Sequence, residues 1–244
     1  MKTNVEKNVA AFDQVLGHCN ALGKMYNPSK ESLKVAAMTS LLTSAQVSLK
    51  AVDTAKSNLI LAINARQRVF STLPGFGTRI LNALKASDAS PQLIADIRLY
   101  RDKFRAPRRS GQTVPAKPED SSKAQPNPGD SSRGPLSQLD YDTKIRNFGT
   151  MIEMLKGESA YKPNEAELTI AGLTTMLTSL RQTHKAVADA ELAISNARLV
   201  RNKLVYGDNG IYGTIKRVKT YVLSVFGATS VEFRMFNRIR LMPR

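Results

Sequence analysis

The feature that most constrains this chain is that it contains one stretch twice. Residues 26–85 and 161–220 lie over one another without a gap: Tyr26, Pro28 and Leu33 meet Tyr161, Pro163 and Leu168, and Leu42, Thr43 and Ser44 meet Leu177, Thr178 and Ser179. Lys50, Ala51 and Val52 meet Lys185, Ala186 and Val187, while Arg66 meets Arg201 and Ile80 meets Ile215. Roughly a quarter of about 60 aligned positions are identical, and about ten of the rest exchange one apolar residue for another. At 244 residues the chain has room for one large domain or two of about 120, and the duplication favours two similar halves.

Each copy reads as helix. Residues 3–25 place Val5, Val9, Phe12, Leu16, Cys19 and Leu22 at helical spacing. Ser29 is a candidate cap for a long helix, with Glu31 in its first turn near the positive end of the dipole. Residues 30–71 contain no Pro or Gly. Their main stripe is Val35, Met38, Leu42, Ala45, Leu49, Val52, Lys56, Leu59, Ile63, Arg66 and Phe70, in the three-and-four steps of a coiled-coil seam. A second stripe is small: Ala36, Ser40, Thr43, Val47, Ala51, Ala55 and Ala62. Small side chains admit a neighbouring backbone, so both faces are expected to be covered. Leu73-Pro-Gly-Phe-Gly77 is expected to end this helix, with short helices following at about 78–86 and after Ser90-Pro91.

Residues 107–135 lose nearly all apolar character and read as a flexible linker rich in Pro, Ser and mixed charge. The second copy then repeats the plan. An entry helix at 139–155 carries Ile145, Phe148, Ile152 and Leu155, and Pro163 reopens the long helix. Its seam runs Ile170, Leu173, Leu177, Leu180, His184, Val187, Glu191, Ile194, Arg198, Arg201 and Val205, with Ala171, Thr175, Thr178, Ala186, Ala190, Ala193 and Ala197 as the small stripe. Residues 206–210 make a turn, a further helix stops at Gly227, and the tail after Ser230 is a short helix or an extended segment. Lys56 and Glu191 are aligned positions of opposite charge that can pair if the two long helices pack about a pseudo-two-fold axis.

Chemistry is sparse. One cysteine excludes an intramolecular disulfide and a Cys-based zinc site, and there are only two histidines. His18 and Cys19 point about 100° apart on a helix and do not form a joint ligand pair. The Gly75-Phe-Gly77 loop lacks the preceding strand and the Gly-Lys-Ser/Thr of a phosphate-binding loop. No nucleophile elbow, dinucleotide fingerprint or di-iron ligand spacing occurs. A catalytic site around His184, Arg198 and Arg201 would need a pocket that gathers them.

The charge is the one functional signal. There are 36 basic and 20 acidic residues, a formal +16 that raises encounter rates with anionic partners. From Asn196 onward Arg198, Arg201, Lys203, Lys216, Arg217, Lys219, Arg234, Arg238, Arg240 and Arg244 face only Asp208 and Glu232. The first copy echoes this with Arg66, Arg68, Arg79, Lys85, Arg98, Arg101, Lys103 and Arg105, continuing to Arg108 and Arg109. Cations in the last turn of a helix offset its dipole by roughly 0.3–1 kcal/mol each, which accounts for part of the excess.

Asn196-Ala-Arg-Leu-Val-Arg-Asn-Lys-Leu-Val-Tyr206, Lys216–Ser230 and the opening at Tyr161–Glu165 resemble the C-terminal half of a group of uncharacterised bacterial helical proteins. The resemblance covers residues 137–241. Where those proteins carry Ser-Pro-x-Tyr-Lys, this chain has Ser230-Val-Glu-Phe-Arg234. It implies helical architecture and transfers no activity, cofactor, partner or functional residue.

The expectation is an all-α protein with helical units at 1–106 and 136–244, pseudo-two-fold related and joined by the linker at 107–135. The absence of an h-region or of roughly 18 uninterrupted apolar residues points to a cytoplasmic protein with no membrane span. Its expected role is a non-catalytic scaffold or binding protein that needs no cofactor or metal and engages an acidic macromolecule, an acidic protein or a nucleic acid, through its basic ends; an enzyme with a site between the two units is a further alternative. Sequence-independent binding of nucleic acid is the alternative, and the long helices offer a seam for a homo-oligomer.

Overall fold

A computed structural model describes residues 3–104 and 133–243, with the backbone alone for 133–140. Seven α-helices are present among these residues, with no strand. The first, α1, spans Asn4–Leu22 and is opened by a capping box. The Thr3 hydroxyl accepts from the Glu6 N–H at 3.3 Å, and the Thr3 N–H donates to Glu6 Oε2 at 2.8 Å, which satisfies two donors that the first turn leaves open. Val5, Val9, Phe12, Leu16 and Cys19 are buried, as the spacing predicts, and Gly23 ends the helix at φ +56°.

The long helix of the first copy, α2, spans Val35–Lys85. Both of its ends differ from expectation. A 3-10 turn at Glu31–Leu33 precedes it, so Ser29 and Glu31 lie outside the helix and do not cap it. The expected break at residues 73–77 does not occur: Pro74 is inside the helix, and the separate helix expected at 78–86 is its last part. Pro74 lacks an N–H and crowds the carbonyl four residues back, at roughly 3 kcal/mol in an ideal helix. Continuing the helix keeps Leu73, Ile80, Leu81 and Leu84 on one fully buried stripe, each about 1.5–3 kcal/mol of transfer free energy. Gly77 assists by lacking a side chain, since an added Cβ would lie 3.1 Å from the Phe104 ring.

The seam of α2 is covered as expected at Met38, Leu42, Ala45, Val52, Arg66 and Phe70, but the small-residue stripe is not. Ala36, Ser40, Thr43, Val47 and Ala51 are exposed, and Ala55 and Ala62 half-buried. Thr39, Ser40, Thr43 and Ser44 return their hydroxyls to carbonyls four residues back, so this face meets its polar needs within the helix. Over an 18-residue window α2 also matches a membrane crossing by length and composition, and 28% of that window is buried in the chain. Core helices pass the same test.

After Ser90 caps it, α3 spans Pro91–Lys103. The linker expected at 107–135 lies outside the described residues except for its last three positions, which open α4 at Arg133–Lys156. The second long helix, α5, spans Ile170–Tyr206 and begins seven residues after Pro163, where the Thr169 hydroxyl accepts from the Gly172 N–H at 3.2 Å. Its small stripe is open too at Ala171, Thr175, Thr178, Ala186 and Ala193. Here the turn at residues 207–210 is present, and α6 (Ile211–Phe226) and α7 (Val231–Asn237, capped by Ser230) follow.

The chain divides into two compact units, Met1–Leu61 with Ala188–Arg244, and Ala62–Val187. The first packs α1 against α6 and α7 over Phe12, Val15, Met38, Leu42, Ile215, Val218 and Phe236. The second packs α4 against α3 and the end of α2 over Leu73, Ile80, Leu84, Ile97, Phe148, Ile152 and Leu180. The first core thus draws its helices from both ends of the chain and the second from its middle. Both also hold the same clasp: the Tyr26 hydroxyl donates to the Leu33 carbonyl at 2.8 Å, and the Tyr161 hydroxyl to the Leu168 carbonyl at 2.8 Å.

Candidate anion-binding surface

Of the basic cluster that begins at Arg198, the nine described residues fall in the first compact unit, on α5, α6, α7 and the segment after them. Their roles diverge. Arg201 is half-buried and holds Asn202 Oδ1 through Nε and Nη2 at 3.3 and 3.0 Å. Arg217 donates to Asn209 Oδ1 at 3.3 Å and to the Asp208 carbonyl, bracing the turn between α5 and α6. Lys219 donates to the Ile239 carbonyl at 2.6 Å, and burial pushes its pKa down. These three cations are largely committed to the fold.

Arg198, Lys203, Lys216, Arg234, Arg238 and Arg240 are exposed, and among the described residues none of them pairs with a carboxylate. Lys216 rests its ammonium 4.6 Å from the Tyr212 ring centre. Lys203 lines a cleft of about 480 Å³ with Leu41, Leu204 and residues 207–210. Arg244 lies outside the described residues.

The described residues of the first-copy basic cluster, Arg66 to Lys103, are in the second unit. Arg68 is exposed there, but Arg66 is only 7% exposed and offers little to a partner. Its guanidinium lies 4.2 Å from the Tyr141 ring centre, and Nη1 is 3.5 Å from His184 Nδ1. His184 Nε2 is in turn 3.1 Å from Asp142 Oδ1. The polar seam positions Arg66 and His184 therefore meet each other within one unit. Arg198 and Arg201 belong to the other compact unit. Lys56 forms its ion pair with Asp53 on its own helix at 3.1 Å. Among the described residues no three His, Cys, Asp or Glu side chains come together as a metal site.

Sequence reasoning missed Asn8. It is fully buried, donates to the Met242 carbonyl at 2.8 Å and accepts from the Met242 N–H at 2.8 Å. The signal was available: Asn8 sits between Val5 and Phe12 on the apolar face of α1, where an amide needs a polar partner.

No protein family, curated protein or solved structure matches the chain.

Proposed function

We propose that this protein is a non-catalytic helical binding protein, and that an acidic macromolecule docks on the basic surface where α5 ends and α6 and α7 follow. The observation that carries this reading is the set of six exposed cations, Arg198, Lys203, Lys216, Arg234, Arg238 and Arg240, that pair with no carboxylate among the described residues. Of these, Lys203 and Arg234 lie in the last turns of their helices and Arg238 is the C-cap of α7, so the dipole accounts for those three; Arg198, Lys216 and Arg240 gain little from it. Four of the six are arginines, whose planar fork suits carboxylate and phosphate alike.

The architecture behind this surface is an ancestral unit that was doubled, each copy lending its entry helix to the core of the other. The matched tyrosine clasps and the parallel make-up of the two cores support that reading.

The test is fluorescence anisotropy with a labelled mixed-sequence duplex DNA and with labelled polyglutamate at low salt. The reading expects at least one probe to bind, and Arg234→Glu, Arg238→Glu and Arg240→Glu together to weaken it more than tenfold. Reversing Lys7, Lys24 and Lys30, three exposed lysines elsewhere in the same unit, is the matched control. Equal losses from the two triple variants would reduce the surface to bulk charge. Preference for DNA would assign the partner as a nucleic acid.

A further inference from the structure

The segment after α7, residues 238–243, is non-helical, and side chains from other elements satisfy its backbone. Lys219 on α6 donates to the Ile239 carbonyl at 2.6 Å and reaches the Asn237 carbonyl at 3.5 Å. On α1, Asn8 holds both polar groups of Met242, and Asn4 donates to the Pro243 carbonyl at 3.3 Å. Asn8 also reaches the Tyr206 hydroxyl at 3.3 Å, at the end of α5. The side chains of the segment alternate: Ile239 is buried and Leu241 packs on the same core, while Arg238 and Arg240 are exposed. Seating the two apolar residues thus turns the two arginines outward. Lys219 fixes residue 239 against α6, so Arg238 and Arg240 flank that contact. Lys216 lies one turn earlier, a helical neighbour of Lys219 on the same face.

We propose that residues 238–243 form a strap, and that the Asn8 clasp on Met242 is the positioning device that turns Arg238 and Arg240 into fixed parts of the anion-binding surface. This rests on the function proposed above. Asn8 touches no partner; it acts through the strap. A released tail of six residues would keep its arginines but spread them over roughly 13 Å, and binding would then have to order both side chains and backbone. Affinity for the polyanion should fall about tenfold with no charge removed.

Two variants break the clasp from opposite sides. Asn8→Ala removes both side-chain partners, and Met242→Pro removes the N–H of a half-buried residue near the end of the strap, outside the apolar core. Both are expected to keep wild-type helical circular dichroism, to release C-terminal peptides to trypsin faster at Arg238 and Arg240, and to bind the duplex DNA or polyglutamate probe about tenfold more weakly. Arg238→Ala/Arg240→Ala should then cost much less in the Asn8→Ala background than in wild type, because the clasp and the arginines act as one unit. General damage would give additive losses. If the strap is freed but affinity holds, or the losses add, the inference is overturned while the proposed function stands. Tryptic release unchanged in both variants overturns the seat itself. Wild-type protein that binds neither probe at low salt overturns the proposed function and this inference with it.

Discussion

Replacing Tyr26 or Tyr161 with Phe removes one oxygen from each compact unit and nothing else. The rings are each 6% exposed and keep their packing. What is lost is a 2.8 Å hydrogen bond to the Leu33 or Leu168 carbonyl, just ahead of a long helix. A buried carbonyl stranded in this way costs about 1–3 kcal/mol. For domains of this size each kcal/mol lowers Tm by about 2–4 °C. Urea and thermal unfolding followed by circular dichroism supply the measurement. The two sites share no partner and belong to different units, so the double variant should sum the single costs to within about 0.5 kcal/mol. If the units unfold in separate steps, each substitution should shift a different one. Stability within about 0.5 kcal/mol of wild type for either variant would mean that its carbonyl finds another donor, and the clasp reading would fail.

Three further outcomes follow from single residues. Pro74→Ala should restore the missing N–H bond inside α2 and raise stability by about 1–3 kcal/mol in urea melts; a loss would mean that the helix needs its proline. Gly172→Ala should destabilise by about 1–3 kcal/mol, because a Cβ there runs into the Ala166 and Glu167 carbonyls, although the aligned first-copy residue is Ala37; an unchanged melting curve would refute the crowding. Burial pushes the Cys19 thiol up from 9.0 to about 11, so the unfolded chain releases this proton first. Stability from this site is complete below pH 9 and drains away between about pH 9 and 11, by roughly 2–3 kcal/mol. Cys19→Ala should flatten that part of the stability profile, and an unaltered profile would contradict the shift.

Helical class, the face of α1 and the apolar seam positions were legible because apolar spacing reports directly on which side of a helix meets a core, whereas the seam positions Lys56, Glu191 and Arg198 are exposed. The fate of residues 73–77 was not. Pro and Gly report local preference, and a local cost of a few kcal/mol was outweighed by Leu73, Ile80, Leu81 and Leu84, whose burial depends on elements far away in sequence. Residues 207–210, which the ungapped overlay sets against residues 72–75, did break the helix. Small side chains at Ala36, Ser40, Thr43 and Val47 permit close packing without requiring it, and that stripe stayed open. The basic list was legible as composition but not as roles. Arg66 lies against Tyr141, Lys219 holds the strap, and Asn8, which carries no charge, organises the end of the chain.

The central claim is that fixed surface cations, rather than a general positive field, hold an acidic macromolecule. The most direct measurement is the slope of log K against log salt for the wild-type protein with duplex DNA. If Arg198, Lys203, Lys216, Arg234, Arg238 and Arg240 all neutralise phosphates, the slope should be close to about −5. A slope near zero, or no binding even at about 50 mM salt, would contradict nucleic acid as the partner. The same null result with polyglutamate would remove the anion-binding account altogether.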